Sequence, residues 1–242
     1  MGKIYVVGIG PGDMSGMTIQ AHRALCNSDV IVGYHTYIEL VKDAFPDKEF
    51  YENGMRGEVK RCETCVELAR EGKTVALICS GDAGVYGMAS PLLEIADREG
   101  FTDVEVISGV TAAMSGAAVL GAPFSHDFCV ISLSDLLTPW DVIQNRLLCA
   151  AKADLCMAIY NPASHTRPDH FKRACEILLT TLSKDTACGY VRNIGREGCV
   201  KQVCTLEELA DENVDMTVTV FIGNSQTKIV DGKLITPRGY QL

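Results

Sequence analysis

The sequence predicts an α/β protein made of two α/β domains. Three observations carry that expectation: apolar runs of strand length recur along the 242 residues, helix-like patterns fill the gaps between them, and glycine-rich turns follow several runs directly. Such alternation favours a parallel sheet, because right-handed crossovers lay helices over both faces and leave the strands as continuous apolar runs. In the first half the expected strands are 4–7, 30–32, 75–79 and 104–107. A second sheet is expected after Pro123, from strands near 129–133, 155–160, 187–191, 200–204 and 218–222. The small-residue stretch 116–123 is the candidate boundary, giving domains 1–117 and 118–242. No internal repeat is evident.

Composition narrows the function classes. Apolar residues make up 47% and charged residues 22%, and no segment approaches the roughly 18 uninterrupted apolar residues of a membrane span. The opening MGKIYVVGIGPGD reads as a first strand rather than a leader, so a soluble cytoplasmic protein with no membrane partner is expected. The formal net charge of −9 repels nucleic acid, and no basic stripe offsets it. Eleven cysteines sit mostly inside apolar runs and read as buried free thiols of a reducing compartment. Cys62 and Cys65 form C-x-x-C within a helical stretch whose packed face also carries Val59, Val66 and Ala69. Core packing is favoured there over a redox pair or metal half-site, because no second C-x-x-C or matching histidine pair exists, and no metal is expected.

The glycine loops are the most informative local signal. GIGPGD, ending at Asp13, follows the first strand, but a dinucleotide fingerprint needs glycine where Asp13 stands, and no phosphate-binding G-x-x-x-x-G-K-[ST] occurs. A second loop, SGDAGVYG from Ser80, again pairs glycine with an acid, Asp82, and has no nearby lysine or arginine. Two acidic glycine loops disfavour phosphate. They suit a cationic ligand rich in hydrogen-bonding groups, approached by open backbone N–H and C=O groups. S-adenosylmethionine fits that description, as a preference over phosphate ligands and not as an identification. The segment SGVTAAMSGAAVLGAPFS from Ser108 serves either tight helix packing or close approach of a flat ring. AIYNPASHTR ends a strand at Tyr160, where ligands bind in α/β sheets.

Together, GIGPGD, SGDAGVYG and GVTAA resemble the tetrapyrrole (corrin/porphyrin) methyltransferase family, over essentially the whole chain. Further stretches, GYHTYIE, HDFCVISLSDLLTPW, YNPASHTR, VDMTVTVFIGNSQT and TPRGY, resemble the branch that methylates C-17 of precorrin-3B or cobalt-precorrin-3 and contracts the ring by extruding C-20. The resemblance implies a tetrapyrrole methylase-like fold, S-adenosylmethionine held in a cleft between the domains, and a homodimer. It implies cofactor contacts from Gly81, Asp82, Val85, Tyr86, Thr111, Ala112, Tyr160, Asn161 and Ile222. It implies a substrate trough lined by Gly10, Pro11, Gly12 and Asp13, to which Tyr34, His35 and Arg56 are added as substrate-binding candidates.

An electron-rich macrocycle is itself a carbon nucleophile, so methyl transfer needs positioning more than a strong base. Ring contraction moves protons and develops charge on oxygen, which calls for acid, base or hydrogen-bonding groups. The catalytic candidates are His126, Asp127, Ser132 and Asp135. Each has a structural alternative: His126 and Asp127 precede a strand and suit a turn, while Ser134 and Asp135 suit a helix cap. Tyr34 and His35 equally suit a surface turn. Arg56, Arg167, Arg192 and Arg196 are candidate partners for the substrate's carboxylates, with a solvated surface role as the alternative.

Overall fold

In the computed structural model, which describes residues 2–241, the chain divides into two units, one ending at Ala112 and the other starting at Ala113. A boundary between 117 and 118 would cut a continuous helix, α5 (Ala112–Leu120). The small residues 116–120 belong to that helix.

The N-terminal unit holds strands β1 (Ile4–Gly8), β2 (Val30–Tyr34), β3 (Glu49–Asn53), β4 (Val75–Cys79) and β5 (Val104–Ile107), in the order β3-β2-β4-β1-β5. Every neighbouring pair is parallel, as the alternating pattern predicts. Side chains of a strand alternate between faces, and both faces here are apolar. Val30, Val32, Val75 and Leu77 pack with α3 (Glu58–Arg70) and α4 (Ala89–Arg98). Ile31, Ala76 and Ile78 pack with α1 (Ile19–Cys26) and α2 (His35–Ile38). Each such aliphatic side chain contributes about 1.5–3 kcal/mol on burial. Cys62 and Cys65 lie fully buried in the first of these cores. Burial pushes the Cys62 thiol up to about 11 and raises the Cys65 thiol as well. Val59 does not share their face: it sits in the first turn of α3 and is 56% exposed.

The C-terminal unit is built on a mixed sheet. Its strands are β7 (Phe128–Ser132), β8 (Cys156–Tyr160), β9 (Ala187–Arg192), β10 (Val200–Thr205) and β11 (Val218–Ile222), in the order β10-β9-β11-β8-β7. Only β7 and β8 run parallel; the pairs β8 with β11, β11 with β9 and β9 with β10 are antiparallel. One face packs on α6 (Trp140–Lys152), α7 (His170–Leu179) and α8 (Leu206–Leu209). The other face receives α5. Gly116 permits that approach, since a Cβ there would lie 2.5 Å from the Phe221 ring. Tight helix packing is therefore the use made of this part of the small-residue segment. The short strands β6 (Gly121–Ala122), β12 (Lys228–Val230) and β13 (Lys233–Ile235) form a separate three-stranded sheet.

Candidate active site

Because the five N-terminal strands are parallel, the loops that follow them emerge on one edge of the sheet. That edge gathers Gly10, Pro11, Gly12 and Asp13 after β1, Tyr34 and His35 after β2, Arg56 after β3, Gly81, Asp82, Val85 and Tyr86 after β4, and Thr111 and Ala112 after β5. Most residues the sequence proposed for ligands in this half are brought together here. Backbone holds them. Gly10 and Gly81 exchange both hydrogen bonds, Gly10 N to Gly81 O at 3.0 Å and Gly81 N to Gly10 O at 2.7 Å. Their φ values of +80° and +70° are ones that glycine adopts without strain. The open amides expected at these two glycines are thus satisfied by each other.

Asp82 joins a third loop. Its Oδ1 accepts from Gly84 N at 2.8 Å and Val85 N at 3.1 Å, and its Oδ2 accepts from Gly109 N at 2.9 Å. The carboxylate is thereby compensated by three amides and organises the loops after β4 and β5. Asp13 is exposed and accepts from Ser15 Oγ at 2.6 Å and Gly16 N at 3.1 Å, which hold its carboxyl below the usual carboxylate range. At the far side of the edge, His35 Nδ1 lies 3.0 Å from Glu52 Oε2. His35, Glu39 and Glu52 place ligand-capable atoms within 4.8 Å of one another, but Glu39 is already engaged by Lys42 at 2.6 Å.

One residue of this region escaped the sequence reading. Arg61, in the first turn of α3, has a side chain only 5% exposed and stacks over Tyr34, 5.9 Å from the ring centroid. Its Nε, Thr64 Oγ1 and Asn53 Oδ1 are buried and have no hydrogen-bond partner among the described residues. An arginine in a charged stretch such as EVKRCE reads as solvated; the fold lays it over Tyr34, which lies far off in sequence.

In the C-terminal unit, the parallel pair β7 and β8 sets Ser132 beside Tyr160. Asn161, in the left-handed region at φ 52°, donates from Nδ2 to Ser132 Oγ at 2.9 Å, and Ser134 N donates to the same oxygen at 3.2 Å. Tyr160 Oη accepts from Ala113 N at 2.7 Å, satisfying a first-turn donor of α5. Asp135 Oδ2 lies 2.9 Å from His170 Nε2, and its Oδ1 lies 3.9 Å from Arg167 Nε. The close His170 contact, with Arg167 farther off, holds the Asp135 carboxyl below its ordinary range. Arg167 is 7% exposed and donates from Nη1 to Leu133 O at 3.2 Å. Asp135 is therefore part of a side-chain network and caps no helix. His170, itself packed edge-on against Trp140 at 4.7 Å, was not singled out by the sequence.

Three expected site residues fall elsewhere. His126 and Asp127 precede β7, whereas Ser132 ends it, so the strand separates the two pairs of catalytic candidates by about 16 Å at the usual rise per residue. His126 and Asp127 are exposed. Ile222 is 1% exposed in the core. It pairs with Met157 because β11 is antiparallel to β8, which puts it at the opposite end of the sheet from Tyr160 and Asn161. Strand direction is invisible in apolar periodicity.

The geometry defines a class: an α/β protein whose two sheets each present loops at strand ends. The family profile of Tetrapyrrole (Corrin/Porphyrin) Methylases matches residues 3–210, and the chain belongs to that family. It is 47% identical over 240 residues to a Salmonella typhimurium protein named probable cobalt-factor III C(17)-methyltransferase, covering 99% of this chain and 100% of that one. It is 44% identical over 240 residues to the Archaeoglobus fulgidus cobalamin biosynthesis protein CbiHC, of which it spans 53%. Among solved structures it is similar to the methyltransferase CobJ, with a TM-score of 0.91, 34% identity, and coverage of 98% of this chain and 100% of that one.

Proposed function

We propose that the chain is an S-adenosylmethionine-dependent methyltransferase of cobalamin biosynthesis, which methylates C-17 of a cobalt-factor III or precorrin-3B type macrocycle and contracts its ring. The observation that carries this reading is end-to-end identity of 47% with a relative named for that reaction. The relative's name favours the cobalt-containing substrate, in which the metal belongs to the macrocycle. The chain's buried free thiols suit a reducing cytoplasm, and a homodimer is part of the proposal.

The cofactor fits the loops of the N-terminal sheet edge. Segments 80–87 and 108–111 carry no lysine or arginine, and they are tied together through Asp82 and Gly109. We assign Gly81, Val85, Tyr86 and Thr111 to hold it. When bound, it supplies an electrophilic methyl on a sulfonium. The chain's own residues then orient the reactants. Ser132 Oγ already accepts two hydrogen bonds, filling both lone pairs, so what it offers is its O–H proton, suited to oxygen that gains charge during contraction. Asp135, kept ionised beside His170, is positioned to accept a proton.

The test is anaerobic incubation with methyl-labelled S-adenosylmethionine and, separately, cobalt-factor III and precorrin-3B. One labelled methyl at C-17 of a ring-contracted product is expected. Binding of both reactants without labelled product would instead describe a tetrapyrrole-binding protein. In the assigned role, Asp135→Asn slows contraction and leaves S-adenosylhomocysteine affinity unaltered.

A further inference from the structure

The start of α3 breaks three local rules at one place. Its N-cap, Gly57, offers no side chain to the first turn, which leaves the amide donors without a side-chain cap, although Glu58 sets one acid beside the positive end of the helix dipole. Arg61 then adds a cation where the dipole disfavours one. Finally, that cation is buried: its side chain is 5% exposed, and its Nε has no hydrogen-bond partner among the described residues. The nearest carboxylate oxygen, Glu58 Oε1, stays 3.6 Å from Nη2, and the Glu58 side chain is 52% exposed. One helical turn on, buried Thr64 Oγ1 is also without a partner, and residues three apart share a helix face.

A buried charge is tolerated when it is paired and hydrogen-bonded. Here the Nε donor is buried and its acceptor is missing. We propose that Arg61, with the uncapped first turn of α3 and Thr64, binds a carboxylate of the macrocycle substrate. The inference rests on the reading that this substrate is a tetrapyrrole bearing acetate and propionate groups. The guanidinium fork matches a carboxylate's two oxygens, and Glu58, free to swing into solvent, stands at the guanidinium edge through which that carboxylate enters.

Position argues for the macrocycle over the cofactor's own carboxylate. The loops assigned to the cofactor follow β4 and β5, whereas Arg61 stacks on Tyr34 at the end of β2, toward the β3 margin of the sheet. Carboxylates on the rim of a wide ring reach that margin.

The test measures anaerobic binding of cobalt-factor III and, separately, of S-adenosylhomocysteine to the wild-type chain and to Arg61→Gln, Arg61→Lys and Glu58→Gln. Arg61→Gln raises the macrocycle Kd about tenfold or more, as expected for loss of a charge-assisted pair, and leaves S-adenosylhomocysteine affinity within about twofold. Arg61→Lys, lacking the fork, falls between. Glu58→Gln, which removes the competing carboxylate, tightens macrocycle binding about two- to fivefold. Ligand-free Arg61→Gln melts at or above the wild-type temperature, because a buried cation whose Nε lacks an acceptor has been removed. The proposal is overturned by unchanged macrocycle affinity in folded Arg61→Gln, by a lowered melting temperature or failure of that variant to fold, or by a loss confined to S-adenosylhomocysteine. A wild-type chain that binds no macrocycle overturns the functional reading and this subsite together; one that methylates the macrocycle, with Arg61→Gln doing so equally well, overturns the subsite alone.

Discussion

The two units build their strand-end loops by different means. In the N-terminal unit backbone groups are what is joined: Gly10 pairs with Gly81, and the Asp82 carboxylate gathers amides from two loops. In the C-terminal unit side chains make the connections, from Asn161 to Ser132 and from Asp135 to His170 and Arg167. The contrast concerns tolerance. Backbone packed at glycine contact has no rotamer to adjust, while side-chain pairs lose their energy in graded steps.

The sharpest way to break the contrast is Gly109→Ala. An added Cβ would overlap the carbonyl oxygens of Gly81 and Gly8, both backbone, so a loss of about 3 kcal/mol or more is expected in urea unfolding. A loss under about 1 kcal/mol would mean that the loops yield after all. Next comes Asp82→Ala, which strands the Gly84, Val85 and Gly109 amides; about 2–3 kcal/mol is expected if water does not replace the carboxylate. On the other side, Tyr160→Phe removes the acceptor of Ala113 N and should cost about 1 kcal/mol, with faster amide exchange at the start of α5.

The smallest effect belongs to Asp135→Asn. With the side chain a third exposed, the contacts of the carboxylate with His170 and Arg167 should contribute about 0.5 kcal/mol. Its folded-state carboxyl titrates below the ordinary value, so that contribution is complete above about pH 4 and fades as pH falls through the lowered value. The gap between wild type and variant should therefore close on acidification. A gap that widens would show that the network depends on something other than this charge.

Legibility in the sequence followed the same divide. Backbone construction needs glycine, and glycine is visible; GIGPGD and SGDAGVYG stood out before any fold was known. Strands with apolar runs, such as VALIC at β4, were equally plain. The β3 sequence EFYEN was not, because an edge strand with mostly exposed side chains carries no apolar signature. Side-chain construction leaves residue types in view and hides their partners. Asp135 was noticed, but His170, 35 positions away, was not, and the direction of β11, which removes Ile222 from the candidate site, is written in no local pattern. Arg61 was hidden for a related reason, since only the fold brings Tyr34 over it.

The reciprocal Gly10 and Gly81 bonds carry a kinetic consequence. Each amide proton is released only when its partner's bond opens with it, so the two should exchange with deuterium as a matched, slow pair amid faster-exchanging neighbours. A loop pair that opens as one hinge would let both glycine turns move in a single event rather than as two independent flaps.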